Sequence, residues 1–250
     1  MKYAILSFMA LAFACIIYAQ DVDALIKEAE KYERDLKETD ALNKYKEILA
    51  VQPENVKALW KSAELTGRIG NRLKDEKQRS AQFEIAKTYA LAALKAGHQD
   101  ADANYAVAVT AMRFATITAG KERARYLRDM KNYADSALLI NPNHARALYI
   151  SGKWNFEIVQ MNVADKAAVK VLFGGMPKAS LDDAIISFEK ARAADPFLMI
   201  DYLDLANAYI KFHRTDKAIE VLNKMIKLPP RTEDDMGLKA EGKALLASLQ

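Results

Sequence analysis

The chain has 250 residues, of which 51% are hydrophobic and 28% charged, with 9 Gly, 6 Pro and 1 Cys. That composition can fill a sizeable core but holds too little turn chemistry for a many-stranded sheet. The formal charge of +4 is too small to argue for a nucleic-acid partner.

Met1-Lys2 makes a short positive start, Tyr3 to Tyr18 carries no charge, and the apolar run stops at Ala19 before Gln20-Asp21. This pattern predicts a bacterial-type export signal over 1–19, cleaved after Ala19 or Gln20, and a mature domain over 20–250. An uncleaved anchor and lipidation at Cys15 are the alternatives, and they are the only membrane attachments expected. The stretch is short for a bilayer span. Cleavage would remove Cys15, leaving neither a disulfide nor a thiol nucleophile in a periplasmic or secreted product.

From Asp21 onward Ala, Lys, Leu and Glu dominate, residues that lose little freedom in a helix. Pro53, Pro142, Pro196 and Pro230 serve as rulers, and the last two stand 34 residues apart, the tetratricopeptide period. Counting back from Pro230 finds Ala218, Leu222 and Met225, preceded by Tyr202, Leu205, Ala206 and Tyr209. Pro196 returns Ala184, Phe188 and Ala191. Pro53 returns Ala41, Tyr45 and Ile48, with Leu25, Ala29 and Tyr32 before them. Small residues let two antiparallel helices approach, large ones fill the hole beside them, and proline ends the second helix.

The expected fold is all-α: a right-handed superhelix of about five tetratricopeptide-like helix pairs, the first over Asp21 to Asn55. A C-terminal capping helix should run from Thr232 to Leu249. Excess spacing between prolines places insertions at Arg68 to Ser80, Ala115 to Arg125 and Phe156 to Ala179, with His98 replacing one proline. Their apolar periodicity predicts extra helical turns that lengthen the central pairs. Phe173-Gly174-Gly175-Met176-Pro177 must turn. Thr215, Ser180 and Thr232 read as helix caps.

Gly152-Lys-Trp-Asn-Phe-Glu157, Leu172-Phe-Gly-Gly-Met-Pro-Lys-Ala-Ser180, Asp183-Ala-Ile-Ile-Ser-Phe188 and Leu228-Pro-Pro-Arg-Thr-Glu-Asp-Asp235 occur in that order. Together they resemble the regulator of microtubule dynamics family. The resemblance covers roughly Ala58 to Leu249 and implies a tetratricopeptide-like fold and a binding role. An exported chain would not meet microtubules, so microtubule regulation does not carry over.

No catalytic, cofactor or metal constellation emerges. His98, His144 and His213 fall at helix ends or turns without partners at helical spacing, where capping is the common role. Ala119-Gly120-Lys121 lacks the rest of a phosphate loop. Glu233-Asp234-Asp235 after Thr232 reads as a capped helix start rather than a metal site.

First helices line the concave face of such arrays. Their inward stripe is Lys57, Trp60, Lys61, Glu64 and Arg68, then Asp102, Tyr105, Val109 and Arg113. It continues as Arg146, Tyr149, Ile150, Lys153 and Glu157, then Leu203, Asp204, Asn207 and Lys211. Recurrent aromatics with basic residues near the helix ends suit a protein or extended peptide bearing acidic groups. The loop Phe173, Gly174, Gly175 and Pro177 is a second candidate, as a ligand-contacting rim or as a plug between helices. The expected function is a non-catalytic protein-binding scaffold; the alternative is a small-molecule or lipid pocket walled by 154–180.

Overall fold

A computed structural model describes residues 22–250. The predicted leader over 1–19, with Cys15, lies outside the described residues. Twelve helices occupy the described residues: α1 (22–34), α2 (Glu38–Val51), α3 (Val56–Asn71), α4 (Glu76–Ala96), α5 (Ala101–Ile117), α6 (Gly120–Ile140) and α7 (Ala145–Gln160). There follow α8 (Val163–Phe173), α9 (Leu181–Ala194), α10 (Met199–Lys211), α11 (Thr215–Met225) and α12 (Asp235–Ser248). Five pairs stack in order: α1/α2, which share one core cluster, then α3/α4, α5/α6, α7/α9 and α10/α11, and α12 caps the last. None of these helices is long and apolar enough to cross a membrane.

The small-and-large pattern forms the seams. Ala29, Ala41, Ala184, Ala206 and Ala218 are fully buried, as are Tyr45, Phe188 and Leu222. At Gly152 a methyl group would lie 2.6 Å from the Phe188 ring, so only glycine lets α7 approach α9 this closely. The second helices α2, α6 and α9 stop shortly before Pro53, Pro142 and Pro196, and α4 stops before Gly97-His98.

The first two insertions are extra turns, giving α4 and α6 21 residues each against 14 in α2 and α9. The third behaves differently. It folds as the separate helix α8, which packs on α6 of the preceding pair and buries Val169. Asn162 breaks the helix there, its Oδ1 accepting the Asp165 amide at 2.8 Å. Gly174, at φ 71°, closes α8 in the left-handed conformation that only glycine adopts freely.

Ser180 caps α9 as expected, its Oγ accepting the Asp183 amide at 3.0 Å. Thr215 does not cap α11: the chain enters that helix through His213 at φ 58°, and Arg214 at the cap position gives no side-chain hydrogen bond. Nor is 232–235 a simple capped start. Asp235 folds back to accept the amides of Arg231 and Thr232 and the Thr232 hydroxyl, which sends Glu233 and Asp234 away from α12. They reach α2 and α3, so the two ends of the array meet.

Candidate functional site

The concave face is lined by α1, α3, α5, α7 and α10, and charged side chains of successive first helices interlock along it. Lys61 pairs with Glu33 at 2.8 Å. Arg68 reaches Glu33 at 4.0 Å and Glu38 at 3.3 Å. Glu64 accepts from Arg146 at 3.0 Å and from the Tyr105 hydroxyl at 3.1 Å. Burial alone would push the Glu64 carboxyl up, but Arg146, Arg68, Lys61 and Arg113 together hold it well below the usual carboxylate range.

Arg113 differs in making no ion pair among the described residues. It is only 8% exposed, and its Nη1, like Arg68 Nε, has no hydrogen-bond partner among them. It leans over Gly67, where a methyl group would stand 2.1 Å from that nitrogen. Burial draws its pKa down, while Tyr105 and Glu64 work against that.

Further along, Asp204 accepts from the Tyr149 hydroxyl at 2.8 Å and from Lys153 at 3.0 Å. Burial and Asp204 push the Tyr149 hydroxyl well up. Asp201, one helical turn before Asp204, is fully buried and neither carboxylate oxygen has a partner among the described residues. Burial, reinforced by Asp204, pushes its pKa up to about 8.

The expected stripe therefore divides. Trp60, Tyr105 and Tyr149 are buried at 8%, 4% and 6% exposure, and they form a floor beneath the cations instead of anchors projecting to a ligand. Arg146 lies over the rings of Trp60 and Tyr105 at 6.0 and 5.8 Å, and Lys61 lies over Trp60 at 4.6 Å. Lys57 and Lys211 are exposed; Lys61, Arg68, Lys153 and Asn207 are partly so. The loop of Phe173, Gly174, Gly175 and Pro177 belongs to another face: Phe173 packs on the main core beside α8. Trp154 and Phe156 are buried in that same core, so the wall of the insertion is packed.

Reading the sequence missed Arg72, Glu38, Arg123 and Asp165. Arg72 stands one turn after Arg68 on the same face, a visible signal. Asp165 could be found only indirectly, because Ala119, the residue before α6, gives no capping side chain, and nothing local marks Glu38. His144 does cap a helix: its Nδ1 accepts the Ala147 amide at 3.1 Å, leaving Nε2 to donate to Asp102 at 3.1 Å. Among the described residues no group of His, Cys, Asp and Glu could hold a metal ion.

Residues 19–250 match the family Regulator of microtubule dynamics protein 1-3. The chain belongs to this family. Regulator of microtubule dynamics protein 1 of Pongo abelii is 24% identical over 250 residues, covering 97% of this chain and 77% of that one. The protein of the same name from Caenorhabditis elegans is 24% identical over 191 residues, covering 75% and 83%. Among solved structures, a thermophilic TPR protein of Thermus thermophilus superposes with a TM-score of 0.65 at 16% identity, covering 90% of this chain and 99% of that one. The likeness shows a tetratricopeptide-like fold. Within the family frame, the residues that resemble its members over 152–235 fall on α7, α8, the glycine turn, α9 and the segment that closes the array.

Proposed function

We propose that the protein is a non-catalytic scaffold, exported to the cell envelope or periplasm, that holds a protein or peptide partner in the concave face of the array. One observation carries the reading. Lys57 and Lys61 of α3, Arg146 and Lys153 of α7 and Lys211 of α10 remain accessible along one face, above a floor of buried aromatics. Cations contributed by three of the five pairs suit an extended segment with recurrent acidic groups. The weak net charge and the ion pairs within the row favour selective binding of such a segment over a general polyanion.

Photo-crosslinking residues placed at Lys57 and Lys211 in cells test this. A discrete protein adduct recovered from the envelope fraction, and lost when Lys153→Glu is added, is the expected result. Adducts to lipid alone, or adducts indifferent to Lys153→Glu, would overturn it.

A further inference from the structure

The array carries its own acidic segment at the arginine-rich end of the concave face. The Glu38 amide at the start of α2, which no local side chain caps, donates to Glu233 Oε1 at 2.8 Å. The Glu233 amide donates back to Glu38 Oε1 at 3.3 Å. Arg72 clasps the same segment, 3.1 Å from Glu233 and 3.0 Å from Asp234, while also holding Glu38 at 2.8 Å.

The charges explain why an acidic segment sits there. Lys61, Arg68, Arg72 and Arg146 form ion pairs with Glu33, Glu38 and Glu64 of the walls, and Arg113 forms none among the described residues. Arg72 shares Glu38 with Arg68, so without Glu233 and Asp234 it would hold no carboxylate of its own, and Asp234 also counters the buried charge of Arg113. Even with the segment in place Arg113 keeps an unpartnered guanidinium nitrogen, more than nine-tenths buried. A buried guanidinium with a free donor is an invitation to a carboxylate.

We infer that 231–235 is a latch that stands in for an acidic peptide. The arginine cluster of Arg68, Arg72 and Arg113 takes a carboxylate-bearing segment of the partner, and that segment displaces Glu233 and Asp234. The inference rests on the array being a peptide-binding scaffold. The latch can open: the side chains of Arg72, Glu233 and Asp234 are 29%, 33% and 26% exposed, and ion pairs at such exposure are weak. It closes because tethering gives it an effective concentration on the order of millimolar.

The test uses the full chain and a fluorescent synthetic peptide spanning Leu228–Met236, with a control peptide in which Glu233 and Asp234 are amidated to Gln and Asn. Glu233→Gln with Asp234→Asn in the protein should tighten peptide binding about tenfold, because the competing closed state is lost. Adding Arg72→Gln should abolish the gain, and the control peptide should not bind. If the double variant does not fold, Asp234→Asn alone is measured and should tighten binding in the same direction. Equal affinity of wild type and variant would overturn the latch while leaving the scaffold reading in place. No binding to either would also overturn it, and the scaffold would then stand or fall on the photo-crosslinks alone.

Discussion

Among the helices that begin without a capping side chain of their own, α2 and α6 each borrow an acid from later in the chain. For α6 the donor of the cap is Asp165, which accepts the Gly120 amide at 3.0 Å and is gripped by Arg123. For α2 it is Glu233, gripped by Arg72. The chemistry is the same: an orphan amide, a helix dipole, a carboxylate and an arginine. The settings are not. Asp165 is 5% exposed on a helix packed against the one it caps. Glu233 is a third exposed on a connecting segment 195 residues from its partner. A buried borrowed cap locks the insertion in place; an exposed one can let go.

Removing the buried cap should have the largest effect. Asp165→Ala leaves the Gly120 amide without its partner and Arg123 with Glu157 alone, and should cost about 3 kcal/mol in urea unfolding. The contacts from Gly120 and Arg123 overcome burial and hold the Asp165 carboxyl below its ordinary value. A lowered pKa means the folded state binds its proton less readily, so the contribution is complete above about pH 4 and is lost as pH falls through the lowered value. The gap between wild type and variant should therefore close in acid.

Asp201 sharpens the comparison as an acid with neither cap nor arginine grip. Its pKa, about 8 in the folded chain, lies above the unfolded value of about 4. Between those values the folded state holds the extra proton, so stability declines as pH rises and levels off beyond the upper one. Asp201→Asn should remove that decline. It should gain on wild type by about 2 kcal/mol between about pH 5 and pH 6.5, read from unfolding midpoints, and a constant difference across that range would contradict the account.

Much of the fold was legible in the sequence because its signals are local. Ala184, Phe188 and Pro196 lie within a few turns of one another, and their spacing alone specifies a helix seam and its end. The third insertion was less legible, since nothing local says that α8 will pack on α6 instead of lengthening α7; the partner of Asp165 is 45 residues away. The residues of the expected stripe lie on α3, α5, α7 and α10, yet the burial of Trp60, Tyr105 and Tyr149 was not foreseen. It depends on Glu64 and Asp204 of neighbouring pairs taking the tyrosine hydroxyls and on cations covering the tryptophan. The acidic triplet 233–235 was misread for the same reason: Asp235 serves its own turn, while Glu233 and Asp234 serve helices at the opposite end of the chain.

The exposed cap should give the smallest change in stability. Glu233→Ala is expected to cost about 1 kcal/mol, and a double-mutant cycle with Arg72→Ala should return roughly 0.5 kcal/mol, shrinking as salt is raised.

Hydrogen exchange at the Glu38 and Gly120 amides tests most directly whether the ends of the array are held by a releasable cap. In wild type both amides should exchange slowly. Glu233→Ala should speed Glu38 by roughly fivefold, the equivalent of about 1 kcal/mol, and leave Gly120 unchanged. A Glu38 amide that exchanges at the unprotected rate in wild type, or that does not respond to Glu233→Ala, would contradict the account.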